Sequence, residues 1–237
     1  MNRKSNLRVE LISHTKDPER AVATAIRLCY SASDIGQVRE ALDDAESARL
    51  IRKVLKLGHL SVLEHASFTF AIEGISRACS HQLVRHRMAS FSQQSQRHVK
   101  MRGFEYAPPP SIQENEEAAG RFNDVMKNLQ ENYDALLAAG LPAEDARYIL
   151  PNAAETKLLM TANARSLLNF FELRLCARAQ WEIRQLASLM LEKVRAVAPN
   201  IFSVAGPTCD TKGYCSEGEM SCGRAAPLDF AGDKEVE

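Results

Sequence analysis

The chain holds 237 residues, 45% of them hydrophobic, and its 30 basic residues balance 30 acidic ones. That length buries the core of one domain, or of one domain with a small appendage, and a zero net charge argues against a dedicated nucleic-acid binder, which carries a basic excess. Met1-Asn2-Arg3-Lys4 leads into a mixed strand, and no apolar stretch is long enough to cross a bilayer, so the expected location is the cytoplasm. The six cysteines are expected to stay reduced there, since no disulfide scaffold is indicated.

Residues 7–12 alternate apolar and polar side chains and are expected to form a strand. Asp17-Pro18-Glu19 predicts a helix start, with a capping carboxylate and proline at the first helical position, and a helix running to about residue 30. A second helix is expected over residues 44–57, with Leu50, Ile51, Val54 and Leu55 on one face and Gly58 ending it. Residues 68–72 have strand composition, residues 75–84 are expected to be helical, and residues 90–96 are polar and irregular. After the break at Pro108-Pro109-Pro110, one long amphipathic helix is predicted over 113–139, ended by Gly140 and Pro142. A short helix to residue 150, a strand over 157–162 and two closely joined helices over 165–175 and 180–197 complete the chain. The fold class is α+β, a helix-rich single domain around a small, mostly antiparallel sheet. Residues 1–205 would form the domain and 206–237 a polar, cysteine-containing tail.

No acidic residue occurs between Glu73 and Glu105, whereas Arg77, Arg85, Arg87, Arg97, Lys100, Arg102, His81, His86 and His98 all fall there. In a chain of zero net charge this is a concentrated positive region. It suits a phosphorylated ligand, because arginine presents a planar donor fork matched to phosphate oxygens. Within it runs Arg85-His86-Arg87-Met88-Ala89-Ser90-Phe91-Ser92-Gln93-Gln94-Ser95-Gln96-Arg97, where hydroxyls and amides between arginines can read phosphate, sugar and base together. A solvated basic surface or an RNA-binding patch is the alternative on spacing alone. Two features lean against it: Phe91 and Phe104 offer little stacking surface, and the intervening polar residues are amides and hydroxyls.

Arg-His-Arg, seven residues, then Ser95 resembles the signature of the flavin-dependent thymidylate synthases, and the likeness continues into Gln96-Arg97. Upstream it includes Gly58-His59-Leu60-Ser61-Val62-Leu63-Glu64-His65 and Phe68-Thr69-Phe70. Downstream it includes Arg147-Tyr148-Ile149-Leu150-Pro151, Asn163-Ala164-Arg165-Ser166-Leu167, Asn169, and Arg174 followed by Ala179-Gln180-Trp181-Glu182-Ile183. The resemblance implies a dUMP methyltransferase with FAD as cofactor, and with NADPH and 5,10-methylenetetrahydrofolate as co-substrates. It implies that Ser61, Arg85, His86, Arg87, Gln93, Asn163, Ala164, Arg165 and Asn169 hold the flavin. Gln82, Leu83, Val84, Arg85, Gln93, Gln94, Ser95, Gln96, Arg97, Arg147 and Arg174 would hold the nucleotide. A homotetramer is implied too, with small molecules rather than nucleic acid or membrane as partners. Relatives carry Glu or Gln at Gln93, and some carry His where this chain has Arg178, whose role stays open.

Ring activation in this family is ascribed to an arginine near uracil N3, and Arg174 is the candidate catalytic residue. On residues alone, an arginine paired with Glu172 or Glu182 is the competing reading. The surrounding Leu167, Leu168, Phe170, Phe171, Leu173 and Leu175 predict a helix buried on most sides. Arg165 and Asn169 share one of its faces, and Arg174 takes the other. His59 belongs either beside the flavin and folate or at the helix end as a cap. Ser95 lacks a visible activating base and is expected to bind ligand rather than attack; Cys79 is expected to pack. His59, Glu64 and His65 do not have peptidase zinc spacing, and no metal is expected among them. For Cys209, Cys215 and Cys222, a partial metal site, a thiol cluster and plain flexibility all stay open. A nucleic-acid regulator and a nucleotide sensor without chemistry remain the rival classes.

Overall fold

A computed structural model describes residues 6–226. The reading of Met1 to Lys4 and the tail beyond residue 226 lie outside the described residues. Strands β1 (Arg8–His14), β2 (Ser67–Ser76), β3 (Ala89–Gln93) and β4 (Glu155–Asn163) form one four-stranded antiparallel sheet in the order β1-β2-β4-β3. The helices are α1 (Pro18–Leu28), α2 (Ile35–Glu40), α3 (Asp44–Leu57), α4 (Arg77–Leu83), α5 (Pro110–Gln113), α6 (Glu116–Ala138), α7 (Ala143–Ala146), α8 (Ala164–Arg174), α9 (Trp181–Val197) and α10 (Thr208–Thr211). A 3₁₀ turn covers Leu60–His65. The expected helix-rich α+β class is what the chain adopts. Among the described residues, no helix is long and apolar enough to cross a membrane.

The chain divides into two compact units, one of residues 1–10 and 70–161 and the other of 11–69 and 162–237. In the first unit, α6 buries Met126 with Phe104 and Ala154, and Tyr133 and Leu137 with Ala146. The same helix holds the chain after the basic segment by its main chain. Tyr133 accepts from the Met101 N–H at 3.0 Å and Gln130 accepts from the Phe104 N–H at 2.7 Å.

In the second unit, α1 packs on α3, burying Val22, Ala23 and Ile26 on one helix and Leu50, Ile51 and Val54 on the other. Phe202 contacts Phe68 and Phe171 edge-on at centroid distances of 5.3 and 5.9 Å. Glu19 of α1 accepts from the Asn200 N–H at 2.6 Å and its amide at 2.7 Å, and from the Ile201 N–H at 3.2 Å. A charge-assisted cap thus closes the turn that positions Phe202.

Several local expectations need correction. Asp17 precedes α1 but does not cap it: its backbone is left-handed (φ 46°, ψ 64°) and its carboxylate makes no cap bond, whereas a working N-cap is extended. The segment read as irregular contains β3, where Ala89, Phe91 and Gln93 are half-buried and Ser90 and Ser92 exposed. The period-2 alternation was present but written in small and polar residues. The long helix is interrupted: α5 ends at Gln113, and Asn115 caps a new start by accepting from the Ala118 N–H at 3.0 Å. Helix α2, capped by Asp34 through the Gln37 N–H at 3.0 Å, was not foreseen.

Gly74 has φ +74°, and a Cβ there would lie 2.3 Å from the Asn6 carbonyl oxygen. The left-handed backbone and the close main chain act together. Gly74→Ala should therefore destabilise by about 3 kcal/mol or more, read as a fall in the urea midpoint, whereas the open Gly120 should tolerate alanine.

Candidate functional site

The predicted residues fall into two groups, one in each unit. In the first unit, Ser76 caps α4 by accepting from the Cys79 N–H at 3.0 Å, and the helix ends in the quartet Gln82, Leu83, Val84, Arg85. Leu83 is fully buried, so only its main chain can meet a ligand, while Val84 and Arg85 are exposed. His86 is buried between the exposed Arg85 and Arg87.

Gln93 ends β3 and is oriented by hydroxyls. Its Nε2 donates to Ser80 Oγ at 3.0 Å and to Thr156 Oγ1 at 3.2 Å, and Ser80 Oγ donates to the Arg77 carbonyl at 2.9 Å. A hydroxyl has one proton to give. Since that of Ser80 goes to Arg77, Ser80 can only accept from Gln93, and the amide nitrogen must face it. The Gln93 Oε1 is the atom left to meet a ligand.

The segment after β3 brings donors together and holds no carboxylate of its own before Glu105. Ser95 Oγ accepts from the N–H groups of Arg97 at 3.1 Å and His98 at 3.4 Å, so it shapes the turn and keeps only its proton for a ligand. The Gln96 Nε2 is buried with no partner among the described residues, an orphan donor of the kind that native sites reserve for a bound group. Arg97 donates to the Glu144 carboxylate at 2.6 Å, and Arg147 to the Glu144 carbonyl at 3.1 Å.

Arg77, which sequence reasoning did not select, is half-buried. Burial first, and then the nearby Arg147 charge, hold its guanidinium below the ordinary arginine range. Its place in the carboxylate-free run was the signal that could have found it. Gln94 is placed differently. It lines a cavity of about 400 Å³ with Arg8 and Lys157 but also Glu73, Glu105 and Glu155, whose carboxylates oppose a phosphate.

In the second unit, α8 carries its polar residues in two registers. Asn163 caps it, Oδ1 accepting from the Ser166 N–H at 2.9 Å, which leaves the amide N–H groups for a ligand. Ala164 is buried and contributes main chain alone. Arg165 and Asn169 are exposed, and Arg165 Nη1 donates to Glu64 Oε1 at 2.6 Å. Glu64 lies on the same 3₁₀ turn as the exposed Ser61, so one ion pair ties two predicted flavin residues to each other's element. Glu64 was weighed only as a metal ligand in the sequence; its partner lies 101 residues away.

Arg174 ends α8 half-buried. Glu172 pairs with Lys212 at 3.2 Å instead of with Arg174, and among the described residues Arg174 forms no ion pair. The expected burial of α8 on most sides is corrected: Ala164, Leu167, Phe170 and Phe171 make one buried stripe at helical spacing, and Leu173 is 52% exposed. His59 caps the end of α3 through its main chain, its N–H meeting the Val54 carbonyl at 3.0 Å. Its exposed ring lines a groove of about 260 Å³ with Tyr30, Arg49, Lys53 and Leu57.

A family model described as thymidylate synthase complementing protein matches residues 10–200. The chain is similar to a flavin-dependent thymidylate synthase of Geobacter sulfurreducens, 55% identical over 224 residues that cover 94% of this chain and 96% of the relative. It is similar also to flavin-dependent thymidylate synthases of Clostridium tetani, at 45% over 238 residues (94% of this chain, 95% of the relative), and of Nitratidesulfovibrio vulgaris, at 47% over 231 residues (92% and 94%).

The hydroxyl relay on Gln93 makes a graded prediction. Thr156→Val, which removes one acceptor in similar volume, should cost about 1 kcal/mol of stability. Ser80→Ala, which strips a partner from both Gln93 and the Arg77 carbonyl, should cost about 2 kcal/mol. Equal urea midpoints for the two variants would remove the relay.

Proposed function

This chain belongs to the flavin-dependent thymidylate synthase family, and from that premise we propose how its own residues serve the reaction. The enzyme methylates dUMP to dTMP, taking carbon from 5,10-methylenetetrahydrofolate and using FAD with NADPH as reductant. The observation that carries our assignment is the closeness of Arg147 to Arg77, which belongs to the carboxylate-free run of residues 74–104, in the same unit as the orphan donor of Gln96. Such a set needs an anion to balance it, and the 5′-phosphate of dUMP is one.

Arg97, Arg147, Gln96 and the Ser95 hydroxyl grip phosphate and sugar, with Arg77 added to the set. Gln93, its nitrogen held by Ser80 and Thr156, presents Oε1 as an acceptor toward the base. Gln82, Arg85 and the main chain of Leu83 and Val84 complete the nucleotide contacts, along with Gln94. Uracil C5 is a poor nucleophile until the ring becomes electron-rich. Arg174 is the catalytic residue: a guanidinium beside N3 favours the deprotonated ring, as any adjacent cation favours an anion. The absence of an ion pair to it among the described residues supports this role. No thiolate is required, and Cys79 is fully buried.

The donor set also fits FAD. Arg165 keeps N–H donors beyond the one given to Glu64, and Ser61, Asn169 and the Asn163 amide offer further donors. The N-terminal N–H groups of α8 add the partial positive charge that a diphosphate prefers. The family resemblance assigns Arg85, His86, Arg87, Gln93 and the main chain of Ala164 to FAD as well. When bound, FAD supplies the hydride that completes the methyl group. The protein positions it and keeps the charges in place. We place the flavin and folate near His59, because its groove combines the ring of Tyr30 with the cations of Arg49 and Lys53, a lining suited to an anionic heteroaromatic compound.

We further propose a cytoplasmic homotetramer whose sites are assembled between chains, with residues 1–205 as catalytic domain and 206–237 as an appended tail. A light-scattering mass of one or two subunits would remove the tetramer.

The purified protein should be yellow, and NADPH should bleach it; a colourless protein that refuses added flavin would overturn the assignment. Arg174→Lys keeps the charge but loses the fork. Nucleotide affinity should fall less than about tenfold while methylation falls on the order of 100-fold, equivalent to about 2.7 kcal/mol. Wild-type turnover in that variant would remove the role of Arg174. Cys79→Ala should keep most activity, and a complete loss in a folded variant would restore a thiolate mechanism.

A further inference from the structure

The chain beyond Gly206 is built onto the end of α8. Lys212 reaches Glu172 at 3.2 Å and Arg224 reaches Asp210 at 2.8 Å. The Cys215 N–H donates to the Ala226 carbonyl at 2.7 Å, and the Thr208 and Ser216 hydroxyls meet at 3.2 Å. Pro207, Thr208 and Cys215 are buried. Through residue 226 this segment has tertiary structure of its own, which removes plain flexibility as its description.

That arrangement gathers four of the six cysteines. Cys176 follows α8 directly, Cys209 lies on α10, and Cys215 and Cys222 come from the following loops; all four line one cavity of about 30 Å³, with Arg178 and Arg224. The remaining two lie elsewhere, Cys79 buried on α4 and Cys29 exposed after α1. All six are thiols. Among the described residues, no group of three His, Cys, Asp or Glu side chains is placed to hold a metal ion, so the cluster has the character of a thiol site.

We propose that Cys176 and Cys209 form a peroxide-reactive dithiol, a site of oxidative modification whose disulfide fastens α10 to the end of α8. The cavity of about 30 Å³ has room for roughly two water-sized atoms, which admits hydrogen peroxide and excludes a peptide disulfide. Cys176 and Cys209 are both half-buried at this cavity, whereas Cys215 is buried and Cys222 exposed. Burial first, and then the Asp210 carboxylate, push the Cys209 thiol above its ordinary value. The Cys209 thiol also donates to the Asp210 carboxylate at 3.7 Å, which holds its proton, so Cys209 is the resolving partner and Cys176 the one that reacts first.

The Cys176 thiolate attacks one peroxide oxygen and the O–O bond breaks. Hydroxide leaves and takes a proton as water, and Cys176 becomes a sulfenic acid. The Cys209 sulfur then attacks the Cys176 sulfur, the S–O bond breaks, and its hydroxyl leaves as a second water with the Cys209 proton. Two thiols and one peroxide give one disulfide and two waters, the cysteines oxidised and the peroxide reduced. Nothing in this step depends on the role assigned to Arg174.

The reduced full-length protein would be treated with equimolar hydrogen peroxide, denatured, alkylated with N-ethylmaleimide and mapped by mass spectrometry. Alkylatable thiols should fall from six to four, with one cross-linked peptide joining Cys176 to Cys209, and dithiothreitol should restore all six. In Cys209→Ser the cross-link should vanish, and dimedone should label Cys176. Six thiols surviving the peroxide would overturn the proposal. So would a bond between other cysteines, or stoichiometric zinc that shields the cluster. The wild-type map alone decides the matter should Cys209→Ser fail to fold.

Discussion

A guanidinium whose hold on its proton is weakened by burial and by a second guanidinium nearby, as that of Arg77 is, needs a counter-charge. In this chain the segment around Arg77 contains no carboxylate to provide one within itself. Glu144 partly answers the need, but its carboxylate is engaged by Arg97 and only its carbonyl by Arg147. The remaining excess is a standing demand for an anion. The neighbouring architecture maintains that demand: α6 fixes residues 101 and 104 by their main-chain N–H groups, and Ser76 fixes the start of α4. The main chain of the basic segment is thus held at both ends, while Arg85, Arg87, Arg97, Lys100 and Arg102 reach solvent. On the proposed assignment, this held main chain would keep the donors preorganised for the nucleotide.

The second unit works by tethering rather than by excess. Arg165 and Glu64 are both about half exposed, so their ion pair adds little stability. Its use is positional, joining the turn of Ser61 to the first turn of α8. Asn163 has a double duty, with one amide atom spent on the helix cap and the other available to a ligand. Helix α8 is amphipathic rather than enveloped, and its polar side chains lie on its outer faces for that reason.

Much of this was legible in the chain. Helix α3 falls where the apolar stripe and Gly58 place it, because periodicity and a left-handed glycine agree, and the structure adds the Asp43 cap on the Glu46 N–H at 2.7 Å. Strand β4 covers the expected 157–162, and its burial alternates, with Thr156, Leu158, Met160 and Ala162 inside, where the run Leu158-Leu159-Met160 blurs that alternation in the sequence. What escaped was of two kinds. Short or polar elements such as α2 and β3 carry too few apolar residues to announce themselves, and Asp17 shows that a capping residue in the right place can have the wrong backbone. The supporting residues of the site also escaped. Glu64, Glu144, Ser80 and Thr156 matter through partners 101, 47, 13 and 63 residues away, and periodicity is blind to such distances. The arginine motif was visible; the residues that aim it were not.

The carboxylate of Glu19 has a consequence for how the protein is made. Its partners are the main chain of residues 200 and 201, which leave the ribosome some 180 residues later. The unit that owns this bond is split in sequence, residues 11–69 awaiting 162–237, while 70–161 emerges as one uninterrupted stretch. During synthesis the arginine-bearing unit can consolidate early. Helices α1 and α3 can pair early, but Glu19 stays without its main-chain partners until residues 200 and 201 have been made, so the second unit closes last.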